Sequence, residues 1–223
     1  QKISAQQVRV DPLMEDYQSA LRQYKSSSFV DSYRSFSELE KQLIDLHSLL
    51  AINTHYYKIR SAMQLFHQDA IHLMQGFLAD YPNSTLFYEA TRNLADYYYQ
   101  KRDYQNAVSY YQRMDIAQLR KKFRANYKFK YAYSLFEIGE MKAAASFFHD
   151  LISKDNEYSS KAKYYFGYIA YVDGDYVTAK KYFLELIEQG LYLEEIPVYV
   201  AQIYHQQEAS DELITFALPH SDS

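Results

Sequence analysis

Phe129, Tyr133 and Phe136 stand at i, i+4 and i+7, and Tyr164, Tyr168 and Tyr171 repeat that spacing 35 residues later. On a helix each triplet forms one stripe of rings. The chemistry open to such a stripe is non-covalent recognition: a tyrosine ring offers a large apolar face with few rotors, and its hydroxyl still meets water or a partner. Residues for bond-making chemistry are not gathered in this way. The seven histidines, His47, His55, His67, His72, His149, His205 and His220, are scattered. His67 and His72 are five apart, not the four that set two ligands on one helical face. With no cysteine, thiolate zinc sites, disulfides and cysteine nucleophiles are excluded. Asp173-Gly174-Asp175 lacks the remaining positions of a calcium loop and is explained by a turn between helices. Glu194-Glu195 suits a helix start, where carboxylates favour the positive end of the dipole. The five glycines form neither a phosphate-cradling loop nor a nucleophile elbow. No catalytic residue, metal site or cofactor is expected, and the chain is expected not to be an enzyme.

The elements that must position these rings are helices. Five Gly and four Pro in 223 residues are too few for a many-stranded β fold, which needs turn residues every ~8 to 12 positions. Tyrosine is unusually abundant at 26 residues, with 13 Phe and no Trp. A net charge of −4 is too balanced for an electrostatic nucleic-acid binder, so no nucleic-acid partner is expected. Mean hydropathy is −0.48, and no apolar run approaches the ~18 residues of a membrane span, so the expectation is a soluble helical protein with no transmembrane segment. The local charge excess, Arg113 and then Arg120-Lys121-Lys122-Phe123-Arg124 with Lys128 and Lys130, falls on a long helix expected from about Ile116 to Ile138. Its plainest role is a solvated face, with an acidic partner or an anionic surface as the alternative.

A repeat organises the chain. Asp103-Tyr104-Gln105-Asn106-Ala107, Glu140-Met141-Lys142-Ala143-Ala144 and Asp175-Tyr176-Val177-Thr178-Ala179 each give an acid, a bulky apolar residue, two spacers and an alanine. Each alanine is followed four residues later by an aromatic, Tyr111, Phe148 or Phe183, and the three units are offset by 37 and 35 residues. Thirteen and twelve positions before each alanine stand a large and a small residue: Leu94-Ala95, Tyr131-Ala132 and Phe166-Gly167. The small residue lets a second helix approach closely. Arg102-Asp103, Gly139-Glu140 and Gly174-Asp175 mark the turns, where glycine can take positive φ and the acid can cap the next helix. Fainter copies flank the three. Pro12 to Lys25 pairs with Phe29 to Leu46, Ala51 to Met63 with a helix from Ala70, and Ile196 to Tyr204, with Pro197 in its opening turn, with a short segment from about Asp211 to Leu218.

These periods and positions resemble the tetratricopeptide repeat. The resemblance implies an all-α, right-handed superhelical solenoid of helical hairpins, five full and one partial, spanning about 12–48, 51–82, 84–115, 116–155, 157–190 and 193–218 as one domain over 1–223. Phe77-Leu78-Ala79-Asp80-Tyr81-Pro82-Asn83-Ser84, followed by Ala90 and Leu94-Ala95, looks like the repeat proteins of bacterial envelopes, such as the barrel-assembly lipoprotein and the Tol-Pal coordinator. The run from Asp103 to Tyr204 is similar to the amino-terminal part of large repeat proteins of the Bacteroidetes. That similarity implies a periplasmic or cell-envelope protein, cut after its signal peptide and continuing into more repeats. Gln1 opens the sequence with no signal-peptide pattern and no cysteine to lipidate, and Leu218 to Ser223 makes a polar trailer.

Within such a repeat, Leu94, Tyr98 and Tyr111 fill the hairpin core, as do Tyr131, Leu135 and Phe148 in the next unit and Phe166, Ala170 and Phe183 after it. The family alignment puts Phe129, Tyr133, Phe136, Tyr164, Tyr168 and Tyr171 on the wall of a concave groove, flanked by Arg92, Asp96 and Tyr99 on one side and Tyr199, Gln202 and His205 on the other. Three roles stand open for the stripe: rings buried between adjacent first helices, a groove for a protein or peptide partner, and a surface that stacks on sugars. The expected function is a non-catalytic interaction scaffold, with a glycan-binding module as the alternative. The sequence leaves self-association open.

Overall fold

The computed structural model describes residues 11–154 and 156–217; Leu218 and His220 lie outside them. Twelve α-helices and one short 3-10 turn account for the secondary structure among the described residues. The chain divides into two compact units, Gln1–Leu94 and Ala95–Ser223, with the boundary inside one helix.

The first unit holds α1 (Pro12–Lys25), α2 (Phe29–Gln42), α3 (Leu49–Gln64), α4 (Ala70–Asp80) and the opening stretch of α5 (Phe87–Gln100). Asp11 caps α1 by accepting from the Leu13 amide at 3.0 Å, and Pro12 occupies the first turn, where its missing N–H costs nothing. Tyr17, Ala20, Phe36 and Leu39 make the core between α1 and α2. Helix α2 stops at Gln42, four residues before the expected Leu46, because Leu43 turns extended (ψ 121°). Several polar groups buried here find partners, though the Thr54 hydroxyl finds none among the described residues: the Ser32 and Ser61 hydroxyls bond at 2.9 Å, and Asn93 donates to the Tyr56 hydroxyl at 2.7 Å. Glu40 accepts from His55 Nδ1 at 2.6 Å and pairs with Lys58. The His55 hydrogen bond, reinforced by Lys58 against the opposing effect of burial, pulls the Glu40 carboxyl down to about 2.

The second unit continues with α6 (Tyr104–Tyr111), α7 (Lys121–Glu137), α8 (Met141–Ile152), α9 (Ser159–Val172), α10 (Tyr176–Glu188), α11 (Ile196–Gln206) and α12 (Ser210–Ala217). Each packs on the next from α6 to α12. The repeat alanines Ala107, Ala144 and Ala179 are fully buried, as are Ala95 and Ala132. At Gly167 the approach is closer still: a Cβ there would sit 2.9 Å from the ring of Phe183. Of the expected core rings, Tyr111, Phe148 and Phe183 are sealed, while Tyr98, Tyr131 and Phe166 are half-buried.

The long helix expected from Ile116 does not form. Asp115 accepts from the Ala117 amide at 2.9 Å and closes a 3-10 turn, Ile116–Gln118. Leu119 then runs extended (ψ 137°) to bury its side chain, so α7 begins only at Lys121. Part of the basic run is structural, not a solvated face. Arg124 donates to the Leu119 and Ala117 carbonyls at 3.0 Å each, Lys128 pairs with Asp150, and Lys130 pairs with Asp96 at 2.8 Å.

One turn geometry recurs. Ser27, Phe66, Arg102, Gly139, Gly174 and Glu208 all take φ between 55° and 85°. In each case the next amide reaches back to a carbonyl in the closing turn of the preceding helix, from Ser28 to Gln23, His67 to Ala62, Asp103 to Tyr98, Glu140 to Leu135, Asp175 to Ala170 and Ala209 to Tyr204, at 2.9–3.0 Å. Asp175 also caps α10, accepting from the Thr178 amide at 3.1 Å, which accounts for the Asp173-Gly174-Asp175 motif.

Candidate interaction surface

In the second unit, rings from α5, α6, α7, α9 and α11 form a connected network. Tyr99 meets Tyr133 with ring centroids 5.9 Å apart, and Tyr104 meets Tyr133 at 5.6 Å. Tyr133 and Phe136 both reach Tyr165, each at 5.2 Å. Phe136 contacts Tyr168 at 5.8 Å, Tyr168 contacts Tyr199 at 5.6 Å, and Tyr199 contacts Tyr171 at 5.3 Å. Tyr164 lies against Tyr192 at 4.6 Å, nearly parallel. Most pairs are edge-to-face or tilted, the arrangement that ring quadrupoles favour. Five of the six stripe residues, Tyr133, Phe136, Tyr164, Tyr168 and Tyr171, are half-buried and so present ring surface.

The sixth is different. Phe129 is only 7% exposed, because its ring stacks on Tyr158 at 5.0 Å and meets Phe148 at 6.1 Å; it is core, and serves the surface only as floor. Asp96 is likewise occupied, accepting from the Tyr111 hydroxyl and from Lys130 at 2.8 Å each. Arg92 is half-buried on the first-unit stretch of α5. At the other flank Tyr199 sits among rings, while Gln202 and His205 are exposed and Gln202 accepts from the Tyr171 hydroxyl at 2.7 Å.

Two recesses open along this network. One, about 550 Å³, is bounded by Tyr171, Val198, Gln202, His205 and Leu213. The other, about 500 Å³, has Tyr99, Tyr104, Phe129, Tyr133, Tyr165 and Tyr192 as aromatic walls. Gln100, Arg102 and Lys161 complete its lining. Burial pushes the Tyr99 phenol up to about 12 and, with the Glu137 hydrogen bond second, raises Tyr133 further. These hydroxyls stay protonated, as donors, through the physiological range. Among the described residues no three His, Asp or Glu side chains converge on a possible metal position, and no helix is long and apolar enough to cross a membrane.

Tyr104, Tyr165, Tyr192, Arg102 and Lys161 escaped the sequence-level stripe. Tyr165 had a signal, since it adjoins Tyr164, and Tyr104 occupies the bulky position after each repeat's capping acid. Tyr192 sits in the α10–α11 connection at φ 56°, where no periodicity points to it.

No protein-family model matches the chain, and no curated protein does. Solved structures do match. The C-terminal part of a TPR repeat-containing protein from Cytophaga hutchinsonii superposes with a TM-score of 0.66 at 15% identity, covering 93% of this chain and 82% of that one. A tetratricopeptide repeat protein from Parabacteroides merdae gives 0.60 at 12% identity, over 92% of this chain and 77% of that one. MamA AMB-1 gives 0.60 at 17%, over 79% and 92%. The chain has a tetratricopeptide-repeat fold. In tetratricopeptide-repeat terms, the network belongs to the first helices of successive hairpins, α5, α7, α9 and α11, with Tyr104 added from the second helix of one hairpin.

Proposed function

We propose that this chain is a non-catalytic protein–protein interaction scaffold of the bacterial cell envelope, and that it holds a partner segment against the aromatic surface of its second unit. The observation that carries this is the connected network of half-buried rings from Tyr99 to Tyr199, which leaves ring surface open along successive first helices. Tyrosine concentrates binding free energy in few residues and loses little rotamer freedom on binding. Support for the envelope comes from the Phe77 to Ser84 motif and its resemblance to envelope repeat proteins.

The test replaces Tyr164 and Tyr168 with alanine and measures binding to a partner captured from native envelopes. A loss of tenfold or more in affinity, with helicity and melting preserved, is expected. Undiminished binding by the folded variant overturns the proposal. Chemical-shift changes with peptidoglycan fragments but none with peptides would make the surface a glycan site instead. Cell fractionation tests the location, and recovery in the cytosolic fraction alone would refute it.

A further inference from the structure

The recess walled by Tyr99, Tyr104 and Tyr165 carries two cations from distant parts of the sequence: Arg102, in the turn between α5 and α6, and Lys161, in the first turn of α9. Among the described residues no carboxylate is part of its lining, and the nearby Glu137 is engaged by the Tyr133 hydroxyl. Four other lysines of this unit are paired. Lys128 and Lys154 pair with Asp150, Lys130 with Asp96, and Lys163, two residues from Lys161 on the same helix, with Glu185 at 2.8 Å. Neither Lys161 nor Arg102 has an ion-pair partner among the described residues; Lys161 lies 5.9 Å from the centroid of the Phe129 ring. The hydroxyls of Tyr99, Tyr104 and Tyr192 also find no acceptor among the described residues.

We infer that this recess receives the carboxylate of an acidic residue within a peptide partner, with Arg102 and Lys161 as the residues that select for it. This rests on the scaffold function proposed above and specifies its ligand. A carboxylate placed there gains charge-assisted hydrogen bonds from both cations and further donors from the phenols. The ring faces, with Phe129 beneath, accept the apolar residues beside it. Protonated phenols matter to this: Tyr99, raised by burial to about 12, donates and does not repel an anion. A free phosphate shares the anionic chemistry, but it would leave the aromatic walls uncovered, whereas a peptide covers both.

The experiment pans a random decapeptide library displayed on phage against the full chain. The enriched peptides are then synthesised, each also with Asp and Glu changed to the amides. Enriched peptides should carry an acidic residue next to an aromatic or aliphatic one. Arg102→Asn, which suits the left-handed turn, and Lys161→Gln should each weaken binding about tenfold, as should the amide peptides. Arg102→Lys should restore most of it. Binding should also weaken as salt rises. Neutral peptides that need Tyr164 and Tyr168 but ignore both cation variants would overturn the inference and leave the scaffold function standing. Full competition by inorganic phosphate below about 1 mM would overturn it in favour of a phosphate site. Failure to enrich any peptide would overturn both.

Discussion

The tyrosines inside the hairpins and the tyrosines around the recess use the same side chain in opposite ways. Tyr56, Tyr111 and Tyr127 are buried, and each hydroxyl is spoken for: Tyr56 accepts from Asn93, Tyr111 donates to Asp96, and Tyr127 donates to the Tyr111 carbonyl at 3.0 Å. Tyr99, Tyr104 and Tyr192 contact rings, yet their hydroxyls meet no acceptor among the described residues. The first group shows what folding demands, since a polar atom removed from water must be paired. The second shows what folding does not demand, and so marks where a ligand can act.

The comparison can be broken most forcefully in the core. Tyr111→Ala removes a fully buried ring, and should cost about 3–5 kcal/mol in chemical denaturation; a loss under about 1 kcal/mol would mean that the interior tyrosines are not structural. Gly167→Ala comes next. Its new methyl would sit 2.9 Å from the fully buried Phe183 ring, and a cost of about 1–3 kcal/mol is expected, read as a lower melting temperature. The hydroxyls alone give a finer contrast. Tyr111→Phe leaves Asp96 with Lys130 as its remaining donor and should cost about 1–3 kcal/mol, while Tyr104→Phe should change stability by less than about 0.5 kcal/mol. Equal effects at the two positions would erase the distinction between the groups.

Titration sharpens the same contrast. Tyrosines whose phenols are raised in the folded state contribute stability that is whole below about pH 10 and is lost as pH climbs through the folded values, about 12 for Tyr17 and Tyr99. Glu40 acts at the other end. Its carboxyl, lowered to about 2 from an ordinary 4.5, contributes stability that is present above pH 4.5 and fades between there and pH 2. Denaturation midpoints measured against pH should therefore fall on both sides, and Glu40→Gln should flatten the acid limb alone.

Much of this was legible in the residues themselves. A small residue at a fixed place in each repeat admits one packing, so Ala107, Ala144, Ala179 and Gly167 announced their helices' approach. Helix ends were harder. The helix expected from Ile116 starts only at Lys121, because the Asp115 carboxylate takes the Ala117 amide and closes a 3-10 turn first. Spacing within one helix predicts which residues share a stripe, but not what covers that stripe, so Phe129 was placed on the surface while Tyr158 hides it. The recess was out of reach for a similar reason: Arg102, Lys161 and Tyr192 come from separate elements, and only their packing brings them to one opening.

The recurring turn has a consequence for how such a chain can change over generations. Each of the six hairpins is closed by main-chain hydrogen bonds around a left-handed residue, occupied by serine, phenylalanine, arginine, glutamate or glycine without altering the closure. A position whose shape is guaranteed by its backbone is free to vary in its side chain. Duplicated hairpins could thus drift apart at these points, and at Arg102 that freedom placed a charge at the mouth of the aromatic recess.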